Sequence, residues 1–85
     1  LAASRVRVNA ISPGAIRTPG AQAVMSKMAP GTPADEVWGG YAARTPLKRV
    51  GAPDDIARAV LFLATQASDF VTGVNLVVDG GLLLT

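Results

Sequence analysis

The sequence has 85 residues, 49% hydrophobic and 16% charged, with eight Lys and Arg against six Asp and Glu and neither histidine nor cysteine. A chain this short makes one small domain at most and buries a modest share of its surface, while a mean hydropathy of +0.35 argues against disorder. Disulfides, thiolate metal sites and the commonest general base are excluded, the scattered cations lack the stripe interleaved with aromatics of a nucleic-acid surface, and no apolar run nears the roughly 18 residues that cross a bilayer.

In chain order, Val6, Val8 and Ala10 alternate with Arg7, Asn9 and Ile11, a period of two that predicts a strand, stopped by Ser12-Pro13-Gly14. Thr18-Pro19 reads as a helix start, with the hydroxyl as N-cap and proline at the first helical position, and Pro30-Gly31 ends that helix. Thr32-Pro33-Ala34-Asp35 predicts a second start as a capping box in its Asp form, with Gly39-Gly40 weakening the short helix that follows. Pro53 with Asp54 and Asp55 opens a third helix, both carboxylates complementing its positive end. Ile56, Val60, Leu63 and Ala64 line one of its faces, and it is expected to run to about Ala67. Thr72-Gly73 turns the chain into Val74–Val78, apolar enough to be buried on both faces. Asp79-Gly80-Gly81 closes that strand, and Leu82-Leu83-Leu84 is expected to pack on something. The order is strand, two short helices, long helix, strand, which fits an α/β crossover between parallel strands. Two strands alone make no stable sheet.

None of the nine glycines falls into a phosphate-binding spacing. Tyr41 has Thr45, not lysine, four residues on, so it reads as a packing or pocket residue rather than an acid. Asp54 and Asp55 point to different helix faces and read as capping residues, and Asp79 as a turn residue. No catalytic constellation and no metal site is expected. Pro13-Gly14 is equally a plain turn or, at the carboxyl end of a parallel strand, a place where the backbone meets a ligand closely and the Thr18 hydroxyl is at hand.

Arg7-Val8-Asn9-Ala10-Ile11-Ser12-Pro13-Gly14 followed by Thr18-Pro19 resembles the sixth strand and following loop of short-chain dehydrogenases/reductases. Arg49-Val50-Gly51-Ala52-Pro53-Asp54-Asp55-Ile56-Ala57 resembles the start of that family's last long helix, and Ser68-Asp69-Phe70-Val71-Thr72-Gly73 with Asp79-Gly80-Gly81 resembles its closing strand and tail. The resemblance implies that residues 1–85 are the C-terminal portion of one Rossmann-like, doubly wound parallel domain, with 19–50 as its substrate lid. It implies an oxidoreductase that passes hydride between NAD or NADP and a small carbonyl or alcohol substrate. The tyrosine, lysine and serine of that chemistry lie upstream of the resembling stretch, so this chain alone is expected to be inactive. What the resemblance does give it is a cofactor-binding loop of Pro13, Gly14, Ile16 and Thr18, with the Ile16 backbone and Thr18 hydroxyl on the nicotinamide carboxamide. Met25, Met28, Trp38 and Tyr41 are candidates to line the pocket, or simply to pack the lid helices. A cytoplasmic homo-oligomer, dimer or tetramer, with no nucleic-acid or membrane partner is expected. The alternative is a catalytically silent, stand-alone interaction module of the same fold.

Overall fold

A computed structural model describes residues 2–85. Strand β1 (Ala10–Pro13) is followed by helices α1 (Pro19–Met28), α2 (Ala34–Arg44) and α3 (Pro53–Ala64), then strand β2 (Asn75–Val78), with short 3₁₀ turns at Ala2–Ser4, Gln66–Ser68 and Leu82–Leu84. The two strands pair in parallel, Ala10 opposite Asn75 and Pro13 opposite Val78, and α3 packs against both of them. The architecture is therefore the expected α/β unit, a parallel strand pair joined through helices.

Element boundaries follow local chemistry. The Thr18 side chain caps α1 and Pro19 occupies its first position, as the sequence predicts. At α2 the expectation fails: Pro33 stands at the N-cap with no side-chain cap, so Thr32 makes no capping box, and Asp35 instead reaches Arg17. Gly39 and Gly40 do not interrupt α2, which continues to Arg44 because Trp38 on its inner face is buried and holds the turn. Helix α3 ends at Ala64 rather than Ala67, where the chain tightens into the 3₁₀ turn.

The first strand is shorter than its alternation suggests. Val6 and Val8 stay outside it, because side chains replace the regular ladder there. The Val8 amide donates to Thr72 Oγ1 at 3.1 Å, and Asn9 Nδ2 donates to the Val71 carbonyl while its Oδ1 accepts from the Val74 amide. Arg7 spans the gap with Nη1 on the Val71 carbonyl and Nη2 on the Leu63 carbonyl at 2.7 Å.

At the other end of the ladder the Gly14 amide donates to the Val78 carbonyl at 3.0 Å. A Cβ on Gly14 would lie 2.5 Å from Asp79 Cβ and 2.8 Å from its Cα, so only glycine lets these two backbones meet. Asp79 then closes the turn as expected, Oδ1 accepting from the Gly81 amide and Oδ2 from the Leu83 amide, both at 2.8 Å.

Burial departs most from expectation. Among the described residues only Trp38, Thr45 and Ser68 are buried. Strand β2 is not buried on both faces: Leu76 and Val78 are partly covered, whereas Val77 is open. Of the terminal leucines only Leu82 is half-buried, against the cleft, while Leu83 is 73% and Leu84 89% exposed. The accessible surface is 6074 Å², against about 4,700 Å² for a compact chain of this mass. The radius of gyration is 15.9 Å, against about 12 Å. Among the described residues, one helix layer covers one face of the two strands, and none covers the opposite face.

In the full-length protein, Gly14→Ala is expected to lower stability by about 1–3 kcal/mol through overpacking. Gly20→Ala, in α1 with nothing within 4 Å of the added carbon, is expected to be neutral or to stabilise by up to about 1 kcal/mol. Denaturant melts of both variants check the close approach, and equal effects would show that it does not constrain the fold.

Candidate functional site

Pro13 ends β1, and the backbone leaves the sheet at the carboxyl end of a parallel strand. Residues 15–17 then run beside Gly51, whose amide donates to the Ala15 carbonyl at 2.8 Å and whose carbonyl accepts from the Arg17 amide at 2.9 Å. Extended backbone directs the polar groups of alternate residues to opposite sides. Ile16 therefore keeps its amide and carbonyl on the side away from Gly51, and neither has a partner among the described residues. Thr18 closes the loop, its hydroxyl oxygen accepting from the Ala21 amide at 3.0 Å. A hydroxyl carries one proton besides its lone pairs, and this cap leaves that proton uncommitted.

Pro13, Gly14, Ile16 and Thr18 share one wall of a cleft of about 720 Å³, within the usual span of small-molecule sites. Met25 from α1, Trp38 and Tyr41 from α2, and Ile56 from α3 complete it. Met28 does not reach the cleft and is 79% exposed, since it lies one turn nearer the free end of α1. The Trp38 and Tyr41 rings lie 6.3 Å apart at 48°, and the Trp38 indole N–H is buried without an acceptor among the described residues. Such a donor costs about 1–3 kcal/mol until it is satisfied.

Two arginines flank these rings. Arg44 stands 4.8 Å from the Tyr41 ring centroid. Arg17 stands 5.7 Å from that of Trp38 and pairs with Asp35 at 2.6 Å, joining the loop to the first turn of α2. Tyr41 sits as a lining residue, with Thr45 donating its hydroxyl to the Tyr41 carbonyl at 2.7 Å. The cleft thus offers apolar walls, a few uncommitted backbone and hydroxyl groups, and aromatic faces. It can bind and orient a partly apolar molecule.

Asp54 is exposed at the start of α3, as a helix-end carboxylate should be. Asp55 does more. Its two oxygens accept from Arg49 Nη1 at 2.8 Å and Nη2 at 3.0 Å, the Ala52 amide donates to Oδ2 at 2.7 Å, and Arg58 adds a longer contact at 3.3 Å. The Arg49 hydrogen bonds, followed by the Ala52 amide, hold the Asp55 carboxyl well below the usual carboxylate range. The sequence reading of Asp55 as a capping residue holds at the Ala52 amide, but it missed Arg49, because no periodic pattern joins a helix residue to an arginine six positions earlier in a loop. A smaller cavity of about 120 Å³ lies against this cluster and shares Ala15 and Ile16 with the larger cleft. Among the described residues no group of His, Cys, Asp or Glu could hold a metal ion.

Residues 1–83 match the protein family described as enoyl-(acyl carrier protein) reductase. An uncharacterized oxidoreductase of Mycobacterium tuberculosis is 46% identical over 78 residues, 92% of this chain and 27% of that protein. A short chain dehydrogenase family protein from Francisella tularensis superposes with a TM-score of 0.90 at 32% identity, over 99% of this chain and 36% of the other. A putative 2-deoxy-D-gluconate 3-dehydrogenase from Agrobacterium tumefaciens, solved with bound NADP, superposes with a TM-score of 0.77 at 38% identity, over 99% and 31%. The chain thus spans about a third of the length of these relatives.

A carboxylate whose folded pKa is depressed contributes stability above its unfolded pKa, near 4, and loses that contribution as pH falls. Wild-type full-length protein is therefore expected to melt higher than Asp55→Asn at neutral pH, with the gap narrowing from about pH 5 downward. Thermal melts across that range check this; a constant gap would show that the ion pair does not carry the difference.

Proposed function

This chain belongs to the short-chain dehydrogenase/reductase family, as a C-terminal segment of it, and from that premise we propose that its 13–18 loop holds the carboxamide of NAD or NADP. The whole protein would be an oxidoreductase acting on a small carbonyl or alcohol compound. The observation that carries this reading is the convergence of Pro13, Gly14, Ile16 and Thr18 on one cleft wall, with the Ile16 amide and carbonyl and the Thr18 proton uncommitted. The carboxamide oxygen has two lone pairs, enough to accept from both the Ile16 amide and the Thr18 hydroxyl, and its NH2 group can donate to the Ile16 carbonyl. The residues present therefore fit the nicotinamide end of the cofactor, and the NADP bound to the Agrobacterium tumefaciens relative agrees with such a group in the family.

When bound, the cofactor supplies the hydride donor or acceptor. The chain's own residues do the rest of this end of the work. The Ile16 amide and the Thr18 hydroxyl would donate to the carboxamide oxygen, and the Ile16 carbonyl would accept from its nitrogen. These contacts would orient the ring end of the cofactor. Residues 19–50 form the lid over the substrate, where Met25, Trp38 and Tyr41 exclude water before transfer. Tyr41, without a lysine partner, is a lining residue, so catalysis rests on residues outside these 85 and the chain alone is inactive. The exposed apolar side chains Val60, Leu61 and Phe62 on α3 and Val77 on the uncovered face of β2 support a contact between subunits of a homo-oligomer.

The test uses full-length protein and Thr18→Asp. Aspartate caps a helix as well as threonine does but donates no proton, so α1 is kept while the ligand contact is lost. Turnover is expected to fall about tenfold, the worth of one hydrogen bond near 1.4 kcal/mol, and reduced-cofactor affinity to weaken with it, while the melting temperature holds. Unchanged turnover and affinity would remove Thr18 from the site.

A further inference from the structure

Resting on the reading that the 13–18 loop meets the nicotinamide, we propose that Asp55 is a positioning residue for that loop, acting through Arg49 and Gly51 without touching cofactor or substrate. Between Gly14 and Thr18 the backbone hydrogen bonds among the described residues that tether the loop are the two made by Gly51. Where the Ile16 amide and carbonyl point therefore depends on where Gly51 lies. Gly51 itself sits in an irregular stretch between α2 and α3, and it needs something to fix it.

Asp55 does so from the first turn of α3. Its carboxylate accepts from both Nη atoms of Arg49, two residues before Gly51, and from the amide of Ala52, the residue just after. A fork-on-fork pair fixes direction as well as distance, so one side chain brackets Gly51 from both sides along the chain. The bracket is close enough to matter: a Cβ on Gly51 would lie 2.4 Å from Ile16 Cδ1 and 3.7 Å from Asp55 Oδ2. The approach to it is also constrained, since Lys48 has φ 61°, a left-handed conformation that a side chain adopts only where its surroundings enforce it.

Helix capping alone does not account for this. Asp54 offers the same charge to the same helix end and is exposed with no hydrogen-bond partner among the described residues, whereas the Asp55 side chain is 18% exposed with both oxygens engaged. Beside any stability it adds, the Asp55 cluster supplies geometry, and the geometry it fixes is that of the strip carrying Ile16.

The test is made in the full-length protein. For each variant two affinities are measured by calorimetry: that of the reduced dinucleotide, and that of the matching ADP-ribose, with or without its 2′-phosphate, which lacks only the nicotinamide. Their ratio reads the contacts of the ring end alone. Asp55→Asn keeps an acceptor for the Ala52 amide and loses the charge; Arg49→Lys keeps the charge and loses the fork. Each is expected to lower the ratio about tenfold with ADP-ribose affinity unchanged, while Asp54→Asn leaves the ratio as in wild type. Should Asp55→Asn fail to fold, Arg49→Lys, whose side chain is 57% exposed, decides alone. The proposal is overturned by a wild-type ratio in both variants, by parallel loss of both affinities, or by the same fall in Asp54→Asn. Thr18→Asp in the same assay separates the two readings. A lowered ratio there, with none in the Asp55 and Arg49 variants, keeps the loop at the cofactor and removes the role of Asp55. An unchanged ratio in Thr18→Asp removes the loop, and the proposal with it.

Discussion

Strands β1 and β2 pair although Ala10 and its partner Asn75 are 65 positions apart, and the placement of nearly everything else follows from that pairing. Closing so long a loop has an entropic cost that a ladder of four residues does little to offset. The structure adds polar ties at one end, where Arg7, Asn9 and Thr72 bridge the chain before β1 to the chain before β2. At the other end it adds a backbone approach that only Gly14 permits against Asp79. That second end is where the cleft begins. Because Gly14 and Asp79 meet, the loop leaving β1 and the turn leaving β2 stand side by side, and Leu82 beyond the turn reaches the same cleft as Pro13 and Thr18.

What could be read from the sequence was whatever depends on neighbours along the chain. Thr18-Pro19 and Pro53 give helix starts through their own hydroxyl or ring, and Asp79-Gly80-Gly81 gives a turn through its own carboxylate. The parallel pairing was also legible, because helices between two apolar runs leave few other connections. The failures share a physical cause. Thr32 looked like a cap, but Asp35 three residues on finds Arg17 instead. Val6 and Val8 had the right alternation, but Thr72 and Asn9 take over the hydrogen bonds there. Asp55 looked like half of a carboxylate pair at a helix end, and its main partner is Arg49. In each case a side chain distant in sequence or outside any period decides the outcome, and periodicity carries no signal for it. Pro13-Gly14 and Thr18 stood out by their place after a strand, and Ile16 only through the family resemblance; that they share a wall with Trp38, Tyr41 and Ile56 is a property of the fold.

Burial was the expectation that fared worst, and instructively so. An apolar strand becomes buried when layers cover it, not through its own composition. Here α3 covers one face of the pair, leaving Val77 open on β2 and Val60, Leu61 and Phe62 open on α3. The surface in excess of a compact chain, about 1,300 Å² by the usual scaling, is larger than one side of a standard protein interface. Relatives about three times as long have chain enough to supply such layers. The cleft, by contrast, is already formed: a loop, two short helices and the first turn of a third make most of its wall, and Leu82 beyond β2 completes it.

Helix α3 is the reference against which both ends of the strand pair are held, and arginine is used at both of its ends in ways that follow from the helix dipole. At the carboxyl end, Arg7 reaches the Leu63 carbonyl directly at 2.7 Å, a cation meeting the negative end where the last carbonyls lack partners. At the amino end a cation cannot do this, because the exposed amides carry the same sign. There Asp55 intervenes: it satisfies the Ala52 amide and presents its carboxylate to Arg49. The first contact fixes the chain that leads into β1, and the second fixes the segment beside the loop that leads out of it. The loop that carries Ile16 is thereby held in register with the strand before it by a helix that belongs to neither. A rigid element placed in this way lets the Ile16 amide and carbonyl keep one direction, away from Gly51, without hydrogen-bond partners of their own among the described residues.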